Sequence, residues 1–202
     1  RDSAEEQIRR LKPVLNDLSN VNFPIPLSVD TRSSEVADFA LNNGVSIIND
    51  VSGLDYDAKM VDIVSKYNTT VIIQHSKGTP KNMQINPVYQ NVVEEVYLSL
   101  LEKIKFAQNK GINNIIADIG IGFGKTKEDN FKLLERIEDF NSLHLPLMVG
   151  ISRKSLLGVK SDDNTLKDSL SLAISYPLIQ KKVDFLRVHN VKLHKQLLNS
   201  VI

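Results

Sequence analysis

The sequence predicts an α/β fold, a (β/α)8 TIM barrel of which this chain supplies roughly the last six strands. Short apolar segments alternate with amphipathic segments along the chain, which is typical of parallel strands covered by helices. A polar residue follows nearly every apolar segment, at Asp30, Asn49, His75, Asp118 and Arg187. Site residues at the ends of many strands favour a barrel, because an open doubly wound sheet concentrates them near one switch point.

Helical periodicity predicts the helices in chain order. The first begins at the N terminus, where Ser3 is a candidate N-cap and Glu6 completes a capping box. Later helices are predicted over residues 33–43, 58–67, 92–109, 128–140 and 192–201, and one helix or a helical pair over 155–182. Gly44 follows the second helix as a candidate C-cap.

The predicted strands are continuous apolar segments over residues 25–29, 45–48, 70–73, 115–117, 145–149 and 183–186. Unbroken apolar strands are expected where both faces of a sheet are covered. A barrel of this type usually has about 250 residues. This chain has 202, and it begins at Arg1 with a helix that no strand precedes. We therefore expect a single barrel domain over residues 1–202 that lacks its first two strand–helix units.

Composition excludes several classes of function. The formal net charge is +1, with no long block of one sign, which argues against nucleic acid or a membrane surface as a partner. The chain has no cysteine, which excludes disulfides, thiolate catalysis and cysteine-bound zinc and fits a cytoplasmic location. No apolar segment approaches the roughly 18 residues that a membrane-spanning helix needs.

The loop at residues 118–126 contains Gly120, Gly122 and Gly124, at a spacing that matches neither a P-loop nor a dinucleotide-binding fingerprint. One interpretation is a tight strand-to-helix turn in which Thr126 caps the next helix. The other is a ligand loop. A carboxylate at Asp118 is costly to bury alone, and its natural partner is a flat N–H fork such as a 2-aminopyrimidinone. Glycines would let a planar ligand approach the backbone.

Six strand-end motifs, in chain order, resemble those of the dihydropteroate synthases. They are Ser-Val-Asp-Thr at 28–31, Ile-Ile-Asn-Asp at 47–50, the segment 75–84, the glycine loop at 118–125, Gly-Ile-Ser-Arg-Lys-Ser at 150–155 and Arg-Val-His at 187–189. The resemblance runs from about Ser3 to the C terminus. It implies a transferase of folate biosynthesis that condenses a 7,8-dihydropterin-CH2-diphosphate with p-aminobenzoate, releasing diphosphate and forming 7,8-dihydropteroate.

The resemblance also implies roles for particular residues. The pterin would be bound by Asp118, which takes its 2-amino and ring N–H edge, together with Asp30, Asn49, Gly150 and Lys154. The diphosphate would be held by Arg187 and His189. The p-aminobenzoate side would be lined by Phe123, Lys154 and Ser155. The chain departs from the family pattern at Ile119, Ser76 and Asn190, where Pro, Met and Asp are common.

A magnesium ion and a homodimer are further implications of the resemblance. The family's first-strand segment, which helps to bind magnesium, is absent from this chain, so no metal ligand is assigned in it. Expressed alone, residues 1–202 are expected to be poorly soluble and inactive, because missing strands leave sheet edges unpaired.

The cations have structural alternatives. Arg153 and Lys154 are predicted to open a helix, where the dipole disfavours positive charge. An anionic or electron-rich ligand would explain them, and a solvated basic patch is the alternative. Arg187 ends an apolar strand, so its charge requires either an anion or an internal salt bridge. His189 alternates with Arg187 and shares its side of the strand.

The remaining polar positions and the function also have alternatives. Asp30 and Asn49 could be strand-end caps or members of a core network, and His75 is interpreted as structural. A pterin-binding methyltransferase domain shares the barrel and the pterin carboxylate, but it has no diphosphate for Arg187 and His189 to hold. A non-catalytic pterin-binding barrel is the third possibility, and the intact motifs argue against it.

Overall fold

The computed structural model describes residues 2–21, 23–78, 85, 87–159 and 163–201. Contacts within the chain divide it into two units, which we describe separately. Unit 1 comprises Arg1–Gln74 and Leu100–Ile116, and unit 2 comprises His75–Ser99 and Ala117–Ile202. Within each unit, neighbouring strands pair in parallel and in the order of the sequence.

Unit 1 alternates helices and parallel strands. Its elements are α1 (Ala4–Asn20), β1 (Ser28–Asp30), α2 (Ser34–Asn42), β2 (Ile47–Asp50), α3 (Met60–Tyr67) and β3 (Thr70–Gln74), with the later part of α4 (Val92–Asn109) and the start of β4 (Ile115–Asp118). Strand β2 pairs in parallel with β1 and with β3. The Val71 amide donates to the Asn114 carbonyl at 2.9 Å, which ties β3 to the segment that enters β4.

Unit 2 continues the alternation. After the end of β4 come α5 (Lys127–Glu135), a 3₁₀ helix (Ile137–Leu143), β5 (Leu147–Val149), a second 3₁₀ helix (Ser155–Leu157), α6 (Asn164–Gln180), β6 (Phe185–Leu186) and α7 (Val191–Val201). Strand β5 pairs in parallel with β4 and with β6. All four residues of β4 are buried and so are all three of β5, as expected for strands covered on both faces.

The predicted alternation is confirmed, and the differences lie in helix ends. The predicted helix over 128–140 leaves the α conformation at Arg136 and continues as the first 3₁₀ helix. The predicted element over 155–182 is a pair, a three-residue 3₁₀ helix followed by α6. Ser3 caps α1 by accepting from the Glu6 amide at 3.2 Å, while the Glu6 carboxylate accepts from Arg9 and Arg10.

Two further observations concern the end of α2 and the length of the helices. Gly44 has φ +88° directly after the C-cap of α2, as the helix-stop prediction requires. Among the helices in the described part of the chain, none is both long and apolar enough to span a membrane.

Candidate functional site

Asp118 ends β4 in unit 2 and is only 3% exposed. One carboxylate oxygen, Oδ1, accepts from the Gly120 amide at 2.8 Å. Burial raises the pKa of this carboxyl group, and the charges of Lys154, Lys125 and Arg187 oppose that rise. Asp118 is therefore a buried acid that lies within electrostatic reach of three cations.

The glycine loop after Asp118 is shaped by contacts within the chain. Gly120 and Gly124 both have positive φ, and a Cβ atom at these positions would lie 1.8 Å from the His75 carbonyl oxygen and 2.2 Å from the Lys77 carbonyl oxygen. No side chain fits there. These two glycines therefore let the loop pack against the segment 75–77, which is a different reason from the predicted approach of a planar ligand.

Lys125 lies under the glycine loop and is 3% exposed. Its Nζ atom donates to the carbonyls of Gly120 at 2.8 Å and Phe123 at 3.1 Å, and it lies 2.9 Å from Nδ1 of His75. Burial lowers the pKa of Lys125 to about 7, while Asp118 favours its charged form. Contact with this lysine fits the structural interpretation of His75.

The start of α5 agrees with the interpretation of the loop as a strand-to-helix turn. Thr126 caps α5, its hydroxyl accepting from the Asp129 amide at 3.1 Å, and Asp129 completes a capping box. The carboxamide of Asn130 accepts from the Gly122 amide at 2.7 Å. The loop is thus held from both ends while Asp118 stays at its entrance.

Lys154 lies beside the same loop. Its Nζ atom donates to the Ile121 carbonyl at 2.6 Å and lies 4.7 Å from the centroid of the Phe123 ring. Burial lowers the pKa of Lys154 to about 8, Asp118 raises it and Arg187 lowers it further. The proposed pterin ligands Asp118 and Lys154 are therefore coupled electrostatically.

Of the two cations predicted to open a helix, only Lys154 does so, as the N-cap of a short 3₁₀ helix rather than of an α-helix. Arg153 has a left-handed conformation with φ 57°, and Lys154 is extended and precedes a 3₁₀ helix of three residues. Arg153 forms two hydrogen bonds to the Asp168 carboxylate, at 2.8 and 2.9 Å. The charge of Arg153 is thus balanced inside the chain, and it is no evidence for an anionic ligand.

Gly150 follows β5 and separates two of the cations. A Cβ atom at Gly150 would lie 3.6 Å from Cβ of Arg187 and 3.7 Å from Nζ of Lys154. The Arg187 amide donates to the Val149 carbonyl at 2.9 Å, and its side chain is exposed. The end of β5 therefore brings together Gly150, Lys154 and Arg187.

His189 lies two residues beyond Arg187 and is held by Ser152. The Ser152 hydroxyl accepts from the His189 amide at 3.2 Å and lies 3.0 Å from Nδ1 of its imidazole. Asn190, which departs from the family pattern, donates to Asp168 at 3.2 Å and accepts from the Leu193 amide at 3.1 Å. An aspartate there would lack the N–H that reaches Asp168.

Of the residues predicted to line the p-aminobenzoate side, only some lie close together. Phe123 lies under Lys154, whereas Ser155 is exposed at the start of the second 3₁₀ helix. Ser155 lines a cleft of about 610 Å³ together with Gly122, Thr126 and Lys127.

Asp30 and Asn49 lie in unit 1 on the paired strands β1 and β2. Nδ2 of Asn49 donates to Oδ1 of Asp30 at 2.8 Å. Asn49 is 1% exposed, whereas Asp30 is exposed. This pair fits both the predicted role in pterin binding and the alternative of a local polar network.

Sequence reasoning missed three residues. Lys125 and Ser152 stood inside quoted motifs without a role, and Gln74, 1% exposed, ends the apolar segment of β3. A single amide in an otherwise apolar strand was the signal for Gln74. Of the segment that resembles the family after β3, Thr79, Pro80, Met83 and Gln84 lie outside the described residues.

The family resemblance implies a magnesium ion but assigns it no ligand in this chain. Within residues 2–21, 23–78, 85, 87–159 and 163–201, no group of three or more His, Asp or Glu side chains could hold a metal ion. Unit 2 contains a buried carboxylate, Asp118, that can accept hydrogen bonds from the N–H edge of a ligand. The exposed residues Arg187 and His189 can bind an anion.

Comparisons with known proteins agree with this chemistry. Residues 1–189 match the family model described as "Pterin binding enzyme". The dihydropteroate synthase of Clostridium beijerinckii is 32% identical over 194 residues, which are 94% of this chain and 69% of that relative.

Two solved structures of dihydropteroate synthase from Thermus thermophilus are similar along nearly the whole chain. The complex with 6HMPPP has a TM-score of 0.90 and 35% identity, covering 98% of this chain and 79% of that one. The complex with 4-aminobenzoate has a TM-score of 0.89 and 35% identity, covering 95% and 75%. These matches confirm the predicted fold class, an α/β barrel.

Proposed function

The chain belongs to the pterin binding enzymes and, among them, to the dihydropteroate synthases; from that premise we propose how its residues bind and turn over the substrates. The reaction forms a C–N bond between the amine of p-aminobenzoate and the CH2 carbon of the dihydropterin. The C–O bond breaks, its electrons leave with the diphosphate, and the amine loses a proton.

One observation carries the assignment of roles, namely that Lys154 and Arg187 lie beside Gly150 in unit 2 and that both are electrostatically coupled to the buried Asp118. A buried carboxylate accepts from the paired N–H groups of a 2-aminopyrimidinone edge. The Arg187 guanidinium, exposed and next to Lys154, stabilises the negative charge that develops on the leaving diphosphate. His189, held by Ser152, supplies a second donor to that anion.

Lys154 has a further role at the reacting carbon. Its pKa of about 8 lies close to neutral pH, which is where a group that exchanges protons works best. We assign it a hydrogen bond to the pterin and a position near the incoming amine. Asp30, Asn49, Phe123 and Ser155 keep the roles that the family resemblance gives them, as parts of the same proposal.

Three further features rest on the family resemblance. We propose magnesium as a cofactor, a homodimer as the assembled state and a cytoplasmic location, the last supported by the absence of cysteine. Light scattering on the purified protein would test the dimer. A requirement for magnesium would be tested by removing divalent cations before assay and restoring them singly.

Replacing Arg187 tests the proposed function. Arg187→Ala should lower turnover of the diphosphate substrate by roughly 10²–10³, because one donor to the developing anion is lost. Binding of 6-hydroxymethyl-7,8-dihydropterin, which lacks the diphosphate, and the melting temperature should stay unchanged. Arg136→Ala, at an exposed arginine paired with Asp139, is the matched control and should change neither.

Two outcomes would contradict the proposal. If turnover, dihydropterin binding and melting temperature all fell together in Arg187→Ala, Arg187 would be a structural residue. If inorganic diphosphate failed to raise the melting temperature of the unaltered protein while dihydropterin still did, a pterin-binding methyltransferase would be the better assignment.

A further inference from the structure

Two buried amide atoms in unit 1 lack a hydrogen-bond partner in the part of the chain that the structure describes. They are Oδ1 of Asn49 and Nε2 of Gln74. Each side chain is only 1% exposed. Buried polar groups in native proteins nearly always have a partner, so a pair of such atoms requires an explanation.

The register of the strands places both amides on one face of the sheet. Asn49 pairs with Ile72 across β2 and β3, so their side chains point the same way, and Gln74 follows Ile72 by two residues. From a rise of about 3.3 Å per residue and a strand spacing of about 4.8 Å, the two Cα atoms lie roughly 8 Å apart. A bicyclic ring can contact both side chains at that separation.

On the opposite face of the same strands, the corresponding side chains have no unpartnered polar atom. Asp50, the neighbour of Asn49, accepts from the amides of Ser52 at 2.8 Å and Leu54 at 3.1 Å. Ile73, the neighbour of Gln74, is fully buried and has no polar side-chain atom. The unpartnered atoms are therefore confined to the face that carries Asn49.

The two atoms are complementary. Nδ2 of Asn49 donates to the Asp30 carboxylate at 2.8 Å, and this contact fixes the amide orientation because a carbonyl oxygen would repel the carboxylate. Asn49 therefore presents an acceptor, and Gln74 presents a donor. A ligand that fits both has an N–H group and, a ring's width away, a ring nitrogen or carbonyl oxygen.

We propose that Gln74 is a further specificity-determining residue of this enzyme, whose side-chain N–H donates to a ring nitrogen or carbonyl oxygen of the same pterin that contacts Asn49. The inference rests on the proposed function, since the pterin is its ligand. It predicts that the unliganded enzyme holds an unsatisfied donor that the substrate satisfies. A Gln74 side chain thus selects heterocycles with an acceptor at that position.

Gln74→Met tests the proposal in the full-length protein, because methionine has a similar length and no donor. Affinity for 6-hydroxymethyl-7,8-dihydropterin, measured by calorimetry, should fall by about five- to tenfold. The melting temperature of the unliganded variant should hold or rise, because an unsatisfied buried donor has been removed. Ile73→Met places the same side chain on the other face of β3 and should leave pterin affinity unchanged.

The outcomes separate the inference from the proposed function. Unchanged pterin affinity in Gln74→Met overturns the inference and assigns the amide to bound water. A lowered melting temperature with unchanged affinity, or loss of folding in both Gln74→Met and Gln74→Leu, also overturns it and assigns a structural role. If the unaltered protein bound no pterin at all, the proposed function itself would fail.

Discussion

The carboxylate of Asp118 is buried among groups that shift its pKa in opposite directions, and burial has the largest effect. Burial raises its pKa, but the Gly120 amide donates to it and the charges of Lys154, Lys125 and Arg187 act in the opposite direction. Lys125 is fixed by two carbonyl acceptors and by its contact with His75, and its charge favours the ionised form of Asp118 before any ligand arrives. An N–H edge that meets Asp118 therefore finds its acceptor already in place.

Asp118→Asn separates the binding role of this residue from its effect on the fold. Pterin affinity should fall at least tenfold, since a charge-assisted hydrogen bond contributes about 1.5–3 kcal/mol and the amide presents a donor where an acceptor is needed. The melting temperature of the unliganded variant should not fall, because a buried charge has been removed. Asp139→Asn, at an exposed carboxylate, is the control. Equal pterin affinity in both variants, measured by calorimetry, would exclude Asp118 from the site.

The sequence could predict Asp118 and not Gln74 for a physical reason. Asp118 follows an apolar segment and precedes glycines, and this pattern predicts its position at the end of a strand. Gln74 is the last residue of β3, but the unsatisfied state of its amide depends on what surrounds it. Similarly, the contact of Ser152 with His189 joins residues 37 positions apart.

At the scale of elements, the β4–α5 loop is defined by its backbone contacts. The His75 amide donates to the Asp118 carbonyl at 2.9 Å, and the His75 carbonyl lies where a Cβ atom of residue 120 would be. The strand-to-helix turn could be predicted from Thr126. The close approach of segment 75–77 could not, because it brings together parts of the chain that are more than 40 residues apart.

Two glycines with the same backbone constraint form a matched test. Gly120 and Gly44 have φ +68° and +88°, but a Cβ atom clashes with the His75 carbonyl at the first and meets nothing within 4 Å at the second. Gly44→Ala should lower the free energy of unfolding by about 1–2 kcal/mol, the cost of the left-handed conformation. Gly120→Ala should lower it by considerably more. Urea denaturation measures both, and equal losses would show that the loop can move away from His75.

At the scale of the whole molecule, the pattern of alternation was sufficient to predict six strands and their order. It could not predict where a helix changes type. Apolar spacing continues past Arg136, whereas the backbone leaves the α conformation there. It also could not show that Arg153 has an internal partner, because Asp168 lies on α6. That residues 1–202 form a single domain stays a prediction.

Acid stability of the molecule should depend on Asp168. Two hydrogen bonds from Arg153 hold the pKa of Asp168 at about 2, and Asn190 adds a third. A lowered folded-state pKa gives stability that is present above the unfolded value, near 4, and is lost as pH falls toward 2. Because Arg153 is partly exposed, solvent screening limits this contribution to about 1 kcal/mol.

Melting temperatures between pH 5 and pH 2 would measure that contribution. In the unaltered protein the melting temperature should fall across this range, and in Asp168→Asn the part due to Asp168 should be missing while the value at pH 5 is lower. Asp139→Asn, which alters a surface ion pair, should follow the unaltered protein. Parallel curves for all variants would show that the Arg153 contact adds nothing to stability.

Near neutral pH, this molecule can take up protons at two lysines, Lys125 and Lys154. Their pKa values are lowered to about 7 and about 8, so near neutral pH some molecules carry one or both as neutral amines. A polyanionic substrate raises the pKa of any lysine close to it. If the diphosphate binds beside Lys154 as proposed, we expect its entry to take up protons from the buffer and its departure to release them, which would make the apparent affinity for the substrate depend on pH.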